Sequence, residues 1–186
     1  MKQRCSWVSE SLLYKVYHDK EWGTPVFDDA TLFEFLVLET FQAGLSWITI
    51  LNKRENFRKA FDNFDYQKIA KYSGHKYESL LQDAGIIRNK LKIRSAIHNA
   101  QIFMEVQQEF GSFSKFIWGY VAGKPMLNKF QDKAAVPATT LLSNTISKDL
   151  KKRGFKFVGA TVIYAYMQAI GMVNDHTAVC FKYVEE

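Results

Sequence analysis

Glu39 lies inside the stretch LFEFLVLETFQAGLSWITIL (Leu32 to Leu51), on one helical stripe with Leu32, Phe35, Leu36 and Ala43. That spacing puts a carboxylate on the apolar face of a helix. A carboxylate held out of water is costly unless a charge or a hydrogen-bond donor meets it. Either a neighbouring protein group satisfies Glu39 or a ligand does. Trp47 follows eight residues later across the Gly-containing turn AGLSW, close enough to fold back beside it. WVSESLLYKVYHDKEW supplies Trp7, Tyr14, Tyr17 and Trp22. Aromatics at such spacing are ordinarily core. Grouped around a carboxylate, they suit a flat, electron-poor ligand that stacks and exchanges hydrogen bonds.

A second group of reactive side chains sits at the two ends of the chain. Only Cys5 and Cys180 are cysteines, and each has a histidine at a usable distance. HTAVC sets His176 and Cys180 four residues apart, the spacing of one helical turn. Cys5 precedes His18 by thirteen residues, room for a loop and a helix that fold back. Two thiolates and two imidazoles close a tetrahedral zinc site with Zn–S of ~2.3 Å. The alternative is two buried thiols and two unrelated histidines. Four protein ligands leave no open position, so one bound zinc ion would be structural, clipping the N-terminal segment to the C-terminal one. His75 and His98 lack such partners and read as surface or core histidines.

Helical periodicity supplies the elements that must carry these groups, and strand alternation is nearly absent. Asp28 reads as the N-cap of a helix that stops at Gly44, and Ser46 as the cap of a second from Trp47 to about Phe61. Asp65 opens a short helix, and HKYESLLQDAG ends another at Gly85. A long helix from about Asn89 to Phe110 stops at Gly111, and SFSKFIWGYV adds a turn or two. PMLNKFQDKAAVPAT reads as an extended loop. Helices from about Leu142 to Arg153 and from about Ala160 to Ile170 stop at Gly154 and Gly171. The class is all-α.

A length of 186 residues suits one domain, or two lobes sharing a junction. At 47% hydrophobic and 15% aromatic the chain can fill a core, which excludes a disordered protein. No apolar run reaches the ~20 residues needed to span a bilayer. MKQRCSWVSESLL lacks the apolar core of a signal peptide, which predicts a cytoplasmic protein. The net charge of +6 and pI near 9.2 suit a polyanionic partner. KRENFRK, RNKLKIR and KDLKKRGFK concentrate that charge. Each is a solvated helix face or a phosphate contact, and the last favours phosphate.

C-x-W-V, YHDKEWG, LE-x-x-QAGLSWITIL, KREN, DAGIIRNKLKI, KKRGFKFVGAT and GMVNDHTAVC run from Cys5 to Cys180. Together they resemble the 3-methyladenine DNA glycosylase I family, in the helix-hairpin-helix glycosylase superfamily. The resemblance implies a helix-hairpin-helix bundle, with residues 1–186 as a single globular unit. Two helical lobes would hold the base pocket between them, and a zinc site would join the N- and C-terminal segments. It implies a monomeric, monofunctional repair enzyme that flips 3-methyladenine out of double-stranded alkylated DNA and excises it, leaving an abasic site. No lysine occupies the nucleophile position of bifunctional members, so no lyase step is expected.

By that resemblance Cys5, His18, His176 and Cys180 ligate zinc. Glu39 is the catalytic carboxylate, Tyr17 and Trp47 bind the base, and Trp7, Tyr14 and Trp22 line its pocket. Gln42 and Leu45 enter the DNA where the base has left. The hairpin departs from the superfamily's hydrophobic-Gly-hydrophobic-Gly loop, since FKFVG keeps only the second glycine, Gly159. Its amides, beside Lys151, Lys152, Arg153 and Lys156, still suit a phosphate. Asp175 lies near the superfamily's catalytic aspartate but reads here as a cap or a support of the zinc site. The rivals are a glycosylase for another damaged purine, a non-catalytic DNA-binding module and a zinc hydrolase.

Overall fold

A computed structural model describes residues 2–184. Nine helices carry the described residues, and the only strands among them are two residues long. Helix α1 spans Leu12–Lys20, α2 Asp29–Gln42, α3 Trp47–Ala60, α4 Tyr66–Ile69 and α5 Gly74–Gln82. Helix α6 spans Lys90–Phe110, α7 Phe113–Gly119, α8 Leu141–Lys152 and α9 Ala160–Ala169. Strands β1 (Met126–Leu127) and β2 (Val173–Asn174) pair in parallel, Met126 with Val173 and Leu127 with Asn174. The all-α expectation holds. Among the described residues no helix is long and apolar enough to cross a membrane.

Helix α2 is the centre of the fold. Asp28 accepts the Thr31 N–H at 2.8 Å and starts it, and its residues from Leu32 to Phe41 are buried apart from Glu34. A helix buried on nearly every side must be walled by other elements; α3, α6, α7 and α9 pack against it. Phe33 meets Phe103 of α6 edge-on at 5.0 Å, and Phe103 stacks on Phe113 of α7 at 4.2 Å. Arg54 of α3 is buried and ties three elements together. It donates to Glu34 of α2 at 2.5 Å and to Glu21, just past α1, at 2.6 Å.

Helices α8 and α9 form the hairpin. Thr140 and Ser143 make a reciprocal capping box that starts α8. In the connecting loop Phe155 and Val158 are buried, while Phe157 takes a left-handed φ of +57°. Phe157 stands two residues before Gly159, where the expected hydrophobic-Gly-hydrophobic-Gly pattern would have its first glycine. A left-handed residue other than glycine carries a steric cost of ~1–2 kcal/mol. Asn99 of α6 holds the loop by accepting the Lys156 N–H at 2.8 Å and donating to the Lys156 carbonyl at 3.0 Å. Ser147 donates to the Val158 carbonyl at 2.6 Å.

Four local expectations need correction. Ser46 does begin α3, but its hydroxyl pairs with the Thr49 hydroxyl at 2.7 Å and makes no side-chain cap. Helix α5 ends at Gln82 rather than Gly85, because the Asp83 carboxylate turns back to accept the Gly85 N–H at 2.7 Å. The loop after Pro125 is not simply extended: β1 pairs it to β2, and a short 3-10 turn covers Lys133–Ala135. Residues 176–180 are a non-helical turn, in which the Cys180 N–H meets the Thr177 carbonyl at 2.7 Å. The four-residue spacing is met by that turn instead.

Candidate active site

A cavity of ≈ 290 Å³ opens among α1, α2, α3, α9 and the loop after β1. Helix α1 and the residues flanking it contribute Trp7, Tyr14, Tyr17 and Trp22. Helix α2 contributes Glu39 and Gln42, and Trp47 enters from the first turn of α3. All six base-pocket residues expected from sequence therefore share one cavity. The Tyr17 and Trp47 rings lie 5.2 Å apart, and Trp7 lies 5.1 Å from Tyr14 and 5.0 Å from Trp22.

Glu39 is 3% exposed, and its Oε2 is buried with no hydrogen-bond partner among the described residues. Burial pushes its carboxyl up to about 8, because the low-dielectric surroundings disfavour the anion. Burial, then the neighbouring Glu39, holds the Tyr17 phenol well above its ordinary value. The Trp47 indole Nε1 is also buried and unpartnered. Two residues that line the same cavity thus each carry a buried polar atom without a partner among the described residues, which is rare in native folds.

The turn that follows α2 sits at the rim. Gln42 lines the cavity, and Leu45 is 41% exposed. Gly44 takes φ +80°, which a side chain rarely adopts, so the chain can reverse sharply there. Lys92 of α6 is buried and donates to the Phe41 carbonyl at 2.9 Å and the Ala43 carbonyl at 2.5 Å. It closes the C-terminal end of α2 and pins the turn. RNKLKIR reads as a surface charge group, yet this lysine serves the fold.

Cys5, His18, His176 and Cys180 are all buried, and their ligand atoms lie within 4.8 Å of one another. Cys180 Sγ is 3.4 Å from both His18 Nε2 and His176 Nδ1, and Cys5 Sγ is 3.6 Å from His176 Nδ1. The cluster could hold a metal ion. Each histidine is oriented through its other ring nitrogen: His18 Nδ1 meets Asp19 at 2.9 Å, and His176 Nε2 meets the Trp22 carbonyl at 3.3 Å. The chain ends are also joined by backbone, with the Phe181 N–H on the Gln3 carbonyl at 2.8 Å. Trp22 packs edge-on against His176 at 4.7 Å, so the aromatic wall of the cavity rests directly on the cluster.

The residues expected to meet the DNA backbone divide. Lys151, Lys152 and Lys156 are exposed at the hairpin, and Gly159 opens α9 with no side-chain cap. The Arg153 guanidinium already has protein partners. It pairs with Glu109 at 2.7 Å and lies over the rings of Phe110 and Phe116.

Sequence reasoning missed part of the cavity wall. Lys133 and Val136 reach it from the loop after β1, and Ala165 and Gln168 from α9. Asp175 also lines it, and its role needs correction. It accepts from Asn128 at 2.8 Å, Tyr164 at 2.5 Å and Gln168 at 2.7 Å, and so holds the cavity wall rather than a metal ligand. Its closeness to His176 in sequence suggested support of the zinc site, and that signal misled.

The sequence from residue 7 to residue 183 matches the Methyladenine glycosylase family. This chain belongs to that family. It is 48% identical over 181 residues to DNA-3-methyladenine glycosylase 1 of Escherichia coli (strain K12), covering 97% of each. A crystal structure of 3-methyladenine DNA glycosylase I superposes with a TM-score of 0.95 at 48% identity, covering 98% of this chain and 100% of that one. A tyrosine-to-phenylalanine variant of 3-methyladenine DNA glycosylase I, in complex with 3-methyladenine, superposes at 0.94 with 33% identity, covering 98% of each. These relatives make this methyladenine glycosylase a hydrolase of N-glycosidic bonds.

Proposed function

We infer that this chain excises 3-methyladenine from alkylated double-stranded DNA by hydrolysis, leaving an abasic site and performing no lyase step. The observation that carries the reading is the pair of unpartnered buried atoms, Glu39 Oε2 and Trp47 Nε1, in one aromatic cavity. The relative in complex with 3-methyladenine supports that base as the ligand.

A base stacked in duplex DNA is out of reach, so it must be flipped out at roughly a few kcal/mol. Leu45 and Gln42, on the pinned turn at the rim, fill the gap. Methylation at N3 makes adenine a cation and weakens its bond to C1′ of the sugar. That bond breaks with its electron pair passing to the base, which leaves neutral. Water then adds to C1′ and loses a proton. Such a leaving group needs no strong general acid.

Near neutral pH burial favours the protonated form of Glu39, whose carboxyl is raised to about 8. Arrival of a cationic base favours the carboxylate, so proton and cation exchange and no isolated charge stays buried. Glu39 then opposes the charge of the base, Tyr17 adds a polar contact, and Trp47 stacks with a cation–π contribution of ~2 kcal/mol. Trp7, Tyr14 and Trp22 complete the wall. Neutral adenine gains less from each contact, which is how the site discriminates.

Cys5, His18, His176 and Cys180 suit one structural zinc ion. Tetrahedral zinc with Zn–S ~2.3 Å and Zn–N ~2.0 Å puts sulfur and nitrogen ligands ~3.5 Å apart. The observed separations of 3.4 and 3.6 Å match that edge. Zinc would supply charge for two buried thiolates and a clip between the chain ends, with no position left for water. Lys151, Lys152, Lys156 and the Gly159 amide take DNA phosphate, with Arg153 contributing mainly to the hairpin itself. We read residues 1–186 as one unit of two helical lobes with the pocket between them, acting as a cytoplasmic monomer.

The test is direct. Methylated DNA is incubated with the protein and the released bases are separated by chromatography. The parent is expected to release 3-methyladenine, and Glu39→Gln to release it at a rate lower by on the order of 10²-fold. Release of no 3-methyladenine by the parent, or parent-like release by the variant, overturns the reading.

A further inference from the structure

Helix α9 turns one face to the cavity. Ala165 and Gln168, three residues apart on that helix, both line it. The Gln168 carboxamide is not free to rotate. Its Nε2 donates to Asp175 Oδ2 at 2.7 Å, and Asp175 is 2% exposed. The same carboxylate accepts from the Tyr164 hydroxyl at 2.5 Å and, through Oδ1, from Asn128 at 2.8 Å. Asn128 is brought there by the β1–β2 pairing, which continues as its N–H on the Asn174 carbonyl at 3.1 Å.

Asp175 accepts from three side chains, the Asn128 amide, the Tyr164 hydroxyl and the Gln168 amide. Turning the Gln168 amide over would set its carbonyl oxygen against Asp175, so the N–H₂ must face Asp175. The carbonyl oxygen is then the free group of a residue bordering the cavity. It takes no hydrogen bond among the described residues.

We propose that Gln168, locked by Asp175, is a specificity residue whose carbonyl oxygen accepts a hydrogen bond from the exocyclic amino group of the flipped purine. This deepens the reading of the cavity as a 3-methyladenine pocket and rests on it. With Glu39 the pocket offers two acceptors. A 6-amino purine donates to an acceptor, whereas the 6-keto oxygen of 3-methylguanine is repelled by one. Asp175 acts through Gln168 and is a positioning residue.

The experiment follows release of 3-methyladenine and 3-methylguanine from the same methylated DNA. Gln168→Met keeps length and volume but removes the acceptor, and is expected to lower the ratio of 3-methyladenine to 3-methylguanine release roughly tenfold. Asp175→Asn frees the amide to turn its N–H₂ to the cavity, and is expected to raise 3-methylguanine release in absolute terms. Gln168→Leu serves if the methionine variant lacks the helical circular dichroism of the parent. Binding of the two free bases, followed by tryptophan fluorescence, gives the same ratio without catalysis. A folded variant with the parent's ratio overturns the proposal, as does an equal loss of both bases. A parent that releases no 3-methyladenine sinks the underlying reading as well, and that result is distinct from an unchanged ratio.

Discussion

Two glutamates on α2 meet opposite fates. Glu34 is met by Arg54 at 2.5 Å and by Arg58 at 2.8 Å, so the protein neutralises it. Glu39, five residues on, has an Oε2 with no partner among the described residues, and burial raises its carboxyl to about 8. The first is part of the scaffold, because its partners are permanent. The second is the proposed site, whose partner would be a ligand that comes and goes. The Cys/His cluster resembles Glu34 in this respect: its buried polar groups converge on one another and leave no place for a substrate. Burial alone therefore does not mark function. Glu39 is distinguished by burial without a partner in a residue that lines the cavity.

The comparison is broken most severely at the closed sets. Cys180→Ser, or chelation of the parent, is expected to lower the melting midpoint by roughly 10 °C or more, since a structural zinc adds its binding free energy to folding. Metal analysis should find one zinc per chain in the parent, and a chelated protein that melts unchanged would remove the metal from the scaffold. Arg54→Met leaves Glu34 and Glu21 short of a partner, and should cost about 3–5 kcal/mol in denaturant unfolding. The folded fraction of that variant should excise at a near-parent rate.

Glu39→Gln sharpens the contrast in the other direction. The folded value of about 8 lies above the model-peptide value of 4.5, so between them the unfolded chain binds fewer protons and stability falls as pH rises. The Gln variant lacks that titration. It should match the parent at pH 4 and exceed it by roughly 3 kcal/mol near pH 7 in thermal melts, while losing excision. For the parent, kcat/KM should rise with pH to a plateau above about 8, and the variant's profile should be flat.

Smaller effects separate the rim from the pocket. Lys92→Met leaves the Phe41 and Ala43 carbonyls unpaired, at ~1–3 kcal/mol of stability. It should impair excision from duplex DNA more than binding of free 3-methyladenine. Replacing Lys151 and Lys152 together by Gln should leave free-base binding intact and reduce the slope of log affinity against log salt by about 2. An unchanged slope would take those lysines out of the interface.

Much of the site was legible because its residues sit on local patterns. Glu39 stands out as a charge at an apolar helical position, and Tyr14, Tyr17 and His18 share one helical face. The helix starts at Asp28, Asp65 and Asn89 were legible for the same reason, since a cap acts within four residues. The His176–Cys180 pairing was legible while its local shape was not: a metal needs only the spacing, which a turn supplies as well as a helix.

What stayed hidden depends on partners distant in sequence. Lys92 reads as one more surface cation until α6 crosses the end of α2. Arg153 sits in sequence among the lysines proposed to take phosphate, and only packing brings it to Glu109, Phe110 and Phe116. Gln168 carries no motif at all. Its meaning arises when a two-residue strand pairing brings Asn128 to Asp175 and leaves the amide one orientation.

The sequence by itself determined the residue types, the helical faces and the anomaly of a carboxylate among apolar neighbours, because periodicity and capping are properties of adjacent residues. Only the tertiary structure decided which buried charge is answered and which is left open. That distinction is a matter of whether a donor from another element comes within ~3 Å, and no local pattern encodes it.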